Sequence, residues 1–236
     1  MDYGIWAVWY NLDQAKRDSH LDWLHGTHLP ELTGMPGIVW AANYRVDEDE
    51  YRDRRDLLAH TSDPIPQGTQ YVCLVAAASP YLFFSADSPF MEENQTDDVK
   101  NHLNEREEAR LAVLIEEESV NGPAYRQKTR GSAPAKAIQM GSFNMTGLET
   151  DIMIGQWYAR LRMPDMAETP GVIGCRKLLA LVGWCRHAVL YEFESHEMRR
   201  EHAIKPHTPW SKEVIDATVH APGSPLIGYR TWPAAD

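Results

Sequence analysis

The chain has 236 residues, of which 43% are hydrophobic and 24% are charged, a composition that excludes an intrinsically disordered chain and suits a globular core. Acidic residues outnumber basic residues by 34 to 23, and the formal net charge is −11. This charge repels the phosphates of nucleic acids and of anionic membrane surfaces, so we expect neither as a partner.

Signals for secretion, membrane insertion and disulfide formation are weak in this sequence. The N-terminus has an acidic Asp2 and only a short apolar run before Asn11, unlike a signal peptide. No run reaches the roughly 18 apolar residues that cross a bilayer. Cys73, Cys175 and Cys185 are odd in number and lack a Cys-x-x-Cys spacing, which argues against disulfides and a thiolate zinc site. We therefore expect a reduced, cytoplasmic protein.

The first half of the chain is predicted to contain six elements. The apolar run from Ile5 to Tyr10 indicates a strand, and Asp13 is placed to cap a helix that continues through Leu24. A stretch rich in Glu, Leu, Ala and Arg at positions 97–117 indicates a second helix. The other elements of this half are strands at 38–46, 71–78 and 125–128.

The second half repeats the same order of elements. Its predicted strands lie at 137–145, 172–181, 188–194 and 226–232, and its helices lie at 151–168 and, in broken form, at 197–219. Each half thus follows the β-α-β-β-α-β order of a ferredoxin-like unit. Two such units bury their open sheets by packing sheet against sheet, which predicts an α+β barrel with antiparallel sheets inside and helices outside.

The predicted boundaries place the first ferredoxin-like repeat at residues 1–128 and the second at 137–236. A polar segment at about 47–70, in which Arg and Asp alternate before Pro64 and Pro66, is expected to be an insertion over one mouth of the barrel. The segment 129–136, which contains Gly131 and Pro134, is the expected linker.

A repeat within the sequence supports two fused units. At the spacing of 134 residues that separates positions 23 and 157, the identities are Trp23 with Trp157, Pro30 with Pro164, Pro36 with Pro170 and Gly37 with Gly171. A weaker echo at a shorter spacing relates residues 123–126 to residues 227–230. The first half is therefore expected to have extra residues near its second helix.

The run from Trp23 through His28-Leu-Pro-Glu31 to Pro36-Gly37, followed by the aromatic strand at 40–45, resembles the dimeric α/β-barrel superfamily and most closely its EthD-like branch. The resemblance implies two fused ferredoxin-like units, and it implies a histidine at the position of His28. The superfamily includes cofactor-independent isomerases, polyketide cyclases, lyases and oxygenases as well as haem enzymes, so the fold alone does not name a reaction.

His28 is the leading candidate for acid–base catalysis. Pro30, two residues later, is expected to kink or end the first helix, which can aim the imidazole into a cavity. The alternative is a helix-terminal histidine that binds a freed carbonyl. The matching residue in the second half is Arg162, which we interpret either as an anchor for a substrate anion or as a surface partner of Asp165.

Further histidines precede His28 on the first helix. His20 and His25 can share one face with it, which favours a solvated face or a supporting, substrate-binding role for His25. His25 and His28 also have the spacing of a metal pair, but no further ligand is marked by spacing, so we expect no metal.

Aromatic residues on the predicted strands are candidates for a site in the first half. Tyr10 and Tyr44 are candidate catalytic donors to a developing oxyanion, and Tyr71 and Trp6 are candidate substrate contacts. The alternative for each is packing in a core. The two-residue period places Trp6 and Tyr10 on one face of the first strand and Ala7 and Trp9 on the other. Trp23 and Trp157 are expected to pack helix on sheet.

The leading functional hypothesis is a cofactor-independent lyase or isomerase that acts on a small aromatic or lactone-like molecule, with His28 as general base and then acid. The alternatives are a cofactor-free oxygenase, a haem-binding barrel enzyme and a non-catalytic ligand-binding barrel. A haem needs an axial ligand, and the candidates are His187, His196, His202, His207 and His220. We expect a small molecule as the substrate, no cofactor, and either a monomer or a homodimer.

Overall fold

The computed structural model describes residues 2–50, 58–127, 129, 131–205 and 207–234. Its strands are β1 (Gly4–Leu12), β2 (Ile38–Val46), β3 (Tyr71–Ala77), β4 (Arg106–Asn121), β5 (Ala137–Met145), β6 (Val172–Gly183), β7 (His187–Phe193), β8 (Thr218–His220) and β9 (Leu226–Trp232). Its helices are α1 (Arg17–Trp23), α2 (Leu29–Thr33), α3 (Asp97–Leu103), α4 (Leu148–Trp157), α5 (Met163–Glu168), α6 (His196–Met198) and α7 (Pro209–Asp216).

The strands form a closed barrel. Eight of them pair in the order β7-β6-β4-β1-β3-β2-β9-β5, and β5 pairs again with β7 to close the ring, while β8 adds to β5 outside it. All pairings between these strands are antiparallel. The order within each repeat is that of a ferredoxin-like unit, so the predicted α+β class and the tandem-repeat barrel are confirmed.

Each strand has one face in the barrel and one face under the helices. Ile5, Ala7 and Trp9 of β1 lie in the core that joins both repeats, whereas Trp6 and Tyr10 pack in the layer between the sheet and the first-repeat helices. The predicted division of β1 into two faces is therefore correct, and the structure adds which face is inside. The barrel core includes Trp40, Tyr44, Leu74, Leu114, Ile138, Met140, Leu178, Leu190 and Leu226.

The predicted helix at 97–117 is wrong beyond its first turns. Helix α3 ends at Leu103, and β4 then runs for 16 residues between β1 and β6. Helix propensities differ by less than about 1 kcal/mol per residue for ordinary side chains, so strand pairing on both edges outweighs them. The predicted strand at 125–128 is also wrong in its described part, where residues 122–127 form a turn and loop. The echo between 123–126 and 227–230 has no structural counterpart.

Pro30 is accommodated by a π-helical turn. The turn Leu24–His28 joins α1 to α2, and Pro30 lies in the first turn of α2, where its missing N–H is not needed. The second repeat has the same device, with the turn Tyr158–Arg162 before Pro164 of α5. The helix is thus continued rather than ended, and His28 and Arg162 each close a π turn.

The described part of the polar segment at 47–70 contacts the end of the barrel near the turn between β6 and β7. The Trp184 indole donates to Asp63 at 2.7 Å, and the amide of Thr61 donates to the carbonyl of His220 at 2.9 Å. Residues 51–57 of this segment lie outside the described residues. In the described ranges, no helix is long and apolar enough to span a bilayer.

Gly122, directly after β4, is expected to be sensitive to substitution. A Cβ at this position would overlap the backbone oxygen of Val172 at the seam between the repeats, so Gly122→Ala should cost about 1–3 kcal/mol of unfolding free energy. Gly155→Ala in α4 is the matched control, because a Cβ at this position would meet nothing within 4 Å. This substitution should raise the unfolding free energy by about 0.5–1 kcal/mol. Urea unfolding of both variants tests this, and equal effects would contradict it.

Candidate functional site

A layer of polar and aromatic side chains lies between the first-repeat helices and the sheet. The Tyr10 hydroxyl donates to Asn43 Oδ1 at 3.0 Å, and the Tyr10 ring stacks on Tyr71 with centroids 5.3 Å apart. All three residues are buried. Burial raises the pKa of the Tyr10 phenol, which stays protonated as a hydrogen-bond donor.

Asn43 connects this pair to the helix. Its Nδ2 donates to His25 Nε2 at 3.1 Å and to Thr231 Oγ1 at 3.2 Å. His25 Nε2 therefore accepts, which assigns the ring proton of neutral His25 to Nδ1. Burial lowers the pKa of His25 and favours that neutral form. The sequence analysis missed Asn43, although an amide between Ala42 and Tyr44 in an apolar strand is a recognisable signal.

His20 is the most deeply buried histidine of the layer. Its Nδ1 lies 3.3 Å from Glu105 Oε2, and its Nε2 accepts from Arg106 Nε at 3.4 Å. Arg106 also stacks over the Tyr10 ring, with its Cζ 4.5 Å from the ring centroid. Burial, reinforced by the charge of Arg106, lowers the pKa of His20 to about 4. This histidine is part of a structural network, and it does not face solvent with His28.

His28 lies at the edge of the layer. Its half-buried ring stacks on Trp23 with centroids 4.7 Å apart and planes 15° apart, and Trp23 also stacks on His102. Within the described part of the chain, the His28 ring makes no hydrogen bond, unlike His20 and His25. Burial, followed by the charge of Arg106, lowers the pKa of His28 to about 4. The imidazole is neutral at pH 7 and has an accepting nitrogen available.

The structure brings together only part of the predicted site. Tyr10, Tyr71 and His25 share the helix-facing layer, with His28 at its edge. Tyr44 lies on the opposite face of β2, where its hydroxyl donates to the Ala135 carbonyl at 3.0 Å inside the barrel. Trp6 shares the layer but packs against two other rings, Phe83 and Phe90, with centroids 5.6 and 5.0 Å away.

Arg162 occupies the matching π turn in the second repeat. Its Nε donates to the Tyr191 hydroxyl at 3.1 Å, and its Nη1 lies 3.4 Å from Asp165 Oδ2. At the position that matches Asn43 the second repeat has Lys177, whose Nζ lies 2.9 Å from both Glu117 and His187. The second layer is therefore charged where the first is neutral.

Two of the five candidate haem ligands, His187 and His196, are buried and already make hydrogen bonds. The helix-facing layer is filled by buried side chains that include Tyr158, Met166 and Phe193. His187 has both ring nitrogens engaged, by Lys177 at 2.9 Å and by Asp151 at 2.8 Å, and His196 donates to the Gly228 carbonyl at 3.1 Å. His187 therefore offers no free nitrogen to an iron, whereas the Nδ1 of His196 is buried without a hydrogen-bond partner.

Among the described residues, one cluster of side chains has donor atoms close enough together for a metal ion. Asp47, Glu50 and His196 have ligand atoms within 4.8 Å of one another. However, Glu50 is already paired with the guanidinium groups of Arg199 and Arg200. Two fixed positive charges repel a metal ion, so these residues are better matched as an ion-pair network.

No protein-family model and no curated protein matches this chain. A proposed monooxygenase of Fusobacterium nucleatum superposes with a TM-score of 0.58 at 9% identity, over 97% of this chain and 93% of the other. An anthrone oxidase-like protein superposes with a TM-score of 0.58 at 8% identity, over 98% of this chain and 91% of the other. A proposed chlorite dismutase superposes with a TM-score of 0.54 at 13% identity, over 98% of this chain and 96% of the other. At these identities the similarity establishes the fold alone, a ferredoxin-like α+β barrel.

His28 is expected to make the stability of the protein depend on pH. Folding lowers its pKa from 6.5 to about 4, so the unfolded chain binds more protons between these values, and stability should fall as the pH drops through this window. The contribution of neutral His28 to the unfolding free energy is complete above pH 6.5. The slope of the unfolding free energy against pH reports how many more protons the unfolded chain binds than the folded chain. His28→Gln should reduce this number by up to one, whereas the neighbouring Thr27→Ala should leave it unchanged. Urea unfolding at several pH values measures the slopes, and an unchanged slope in His28→Gln would contradict the assignment.

Proposed function

We propose that the first repeat binds a small aromatic or lactone-like molecule and that His28 removes and returns a proton there, in a lyase or isomerase reaction without a cofactor. One observation supports this most directly. The neighbouring histidines have protein hydrogen-bond partners, whereas the His28 ring is held by stacking on Trp23 and keeps its nitrogens available within the described residues.

The electrostatics of the layer suit removal of a proton from an acidic substrate. The charge of Arg106 disfavours the His28 imidazolium, and the same charge stabilises the anion that the substrate becomes. A base with a pKa of about 4 is weak, so the substrate needs an activated C–H or O–H bond. The imidazolium that forms is a strong acid and returns the proton rapidly.

Other residues of the layer position the substrate in this proposal. The Tyr10, Asn43 and His25 chain orients the His25 ring, which forms a polar wall, and Tyr71 and Trp6 supply aromatic surface. A direct role for Tyr10 requires exchange of its hydrogen bond to Asn43. We leave Tyr44 out of the proposed site, because the sheet lies between its hydroxyl and the helix-facing layer.

A cofactor-free oxygenase is the second candidate. Structural neighbours include a proposed monooxygenase and an anthrone oxidase-like protein. The same proton removal would leave a substrate anion that molecular oxygen can oxidise. Oxygen consumption separates this reaction from a lyase or isomerase, and Soret absorbance after haem supplementation would instead favour the haem alternative.

Three further assignments belong to the proposal. The Trp23, His28, Pro30 and Pro36-Gly37 signature suggests the EthD-like branch, and the repeats are proposed to span 1–128, with an insertion at about 47–70, and 137–236. A homodimer is not required to close the barrel, because the second repeat pairs with both edges of the first. A non-catalytic binding barrel is the alternative if no compound is turned over.

His28→Gln is expected to lower turnover about 100-fold, the size typical of losing a general acid–base group. The assay screens aromatic and lactone compounds by chromatography, with and without oxygen. His102→Gln is the matched control, because His102 stacks on the same Trp23 ring but is outside the proposed mechanism, and it should stay within about threefold of wild type. Equal losses in the two variants would assign His28 to packing alone.

Arg162→Lys tests the two interpretations of Arg162. Its guanidinium is already engaged by Tyr191 and Asp165, so we expect the KM of a substrate bound in the first repeat to be unchanged. A raised KM with unaltered kcat would instead identify Arg162 as an anchor for the substrate anion. Arg160→Lys, on the same turn and over the Trp210 ring, controls for general effects on the helix.

A further inference from the structure

The barrel interior contains a buried guanidinium near the turn between β6 and β7. Arg110 of β4 lies opposite Trp9 of β1 in the strand pairing, and its Cζ is 4.2 Å from the Trp9 ring centroid. The side chain is only 3% exposed. Its Nη2 lies 3.4 Å from Ser142 Oγ on β5, on the far side of the barrel. Arg110 therefore lies across the interior rather than along its wall.

The positive charge of Arg110 is not balanced by the described side chains. Its Nε and Nη1 are buried without a hydrogen-bond partner, and no described carboxylate forms an ion pair with it. Burial lowers the pKa of Arg110 to about 10, which leaves the group charged at neutral pH. Burial also raises the pKa of the adjacent Cys185 thiol to about 11, so this thiol does not supply a negative charge. An unpaired buried cation is strongly destabilising.

Ser142, which is the hydrogen-bond partner of Arg110, is joined to a second buried serine. Ser142 and Ser224 are buried, and the Ser142 amide donates to Ser224 Oγ at 2.8 Å, which leaves the Ser224 hydroxyl proton free to donate elsewhere. The Cys185 backbone has a φ of 132°, a conformation that L-residues rarely adopt. Its thiol belongs to the barrel core. A guanidinium and hydroxyl groups with no carboxylate beside them are suited to binding an anion.

We propose that Arg110, Ser142 and Ser224 form a buried site for one small monovalent anion of halide or nitrate size. The site is inside the barrel, on the opposite face of the sheet from His28, so it is separate from the proposed catalytic layer. The apolar residues that fill the rest of the interior exclude larger anions. The bound anion neutralises Arg110 and thereby stabilises the closed barrel.

Bromide is the probe for this site. The purified protein is exchanged into buffer that has only gluconate as the added anion, and the melting temperature is followed as bromide replaces gluconate at constant ionic strength. We expect a saturable rise for wild type and none for Arg110→Met. Without bromide, Arg110→Met should melt no lower than wild type, because it removes an unpaired charge. Arg186→Met, which removes an exposed guanidinium, should keep the rise.

Several outcomes would overturn the proposal. These are the absence of a saturable rise in wild type, an equal rise in Arg110→Met, and a melting temperature of Arg110→Met below wild type at zero bromide. Ser142→Ala is an independent test, because loss of one hydrogen bond to the anion should raise the half-saturating bromide concentration about tenfold. An unchanged midpoint in Ser142→Ala would then contradict the site.

Discussion

Pairing between the edges of the two sheets is the constraint on which the rest of this structure depends. Each repeat is a four-stranded sheet, and its two edges would expose unpaired N–H and C=O groups. The pairings β4–β6 and β2–β9 join these edges, so the chain needs no second copy to complete its barrel. Closure also separates two environments, a barrel interior shared by both repeats and a helix-facing layer in each repeat. The proposed proton-transfer site lies in the helix-facing layer of the first repeat, and the proposed anion site lies in the barrel interior.

Fusion of the two repeats permits their helix-facing layers to diverge. In the first repeat, Asn43 links neutral groups, and His28 closes the π turn. In the second, Lys177 and Arg162 occupy the matching positions and form charged networks. A dimer of identical chains would carry the same residue in both layers. A single chain can keep proton-transfer chemistry in one layer while the other stabilises the barrel.

The sequence predicts part of the candidate layer. The two-residue period of strands and the internal repeat can be read from the sequence, but contacts between distant residues cannot. The repeat around Trp23 correctly placed His28 and Arg162 at equivalent positions, and both close π turns. Tyr44 was grouped with Tyr10 because both are strand tyrosines, yet their side chains lie on opposite faces of the sheet. The local sequence does not predict the burial of Arg110, because a lone arginine in a charged stretch is usually solvated. Its burial depends on strands from both repeats.

The sequence by itself determined the ferredoxin-like class, the four barrel strands of the second repeat and the alternation of faces along β1, because these depend on local periodicity and on a repeat of rare residues. Tertiary structure alone decided which face lies inside the barrel and that residues 106–121 form a strand. The segment has good helix formers, but β1 and β6 offer it hydrogen bonds on both edges and burial for Ala112 and Leu114. Those interactions are made with residues distant in sequence, and local propensity contains no information about them.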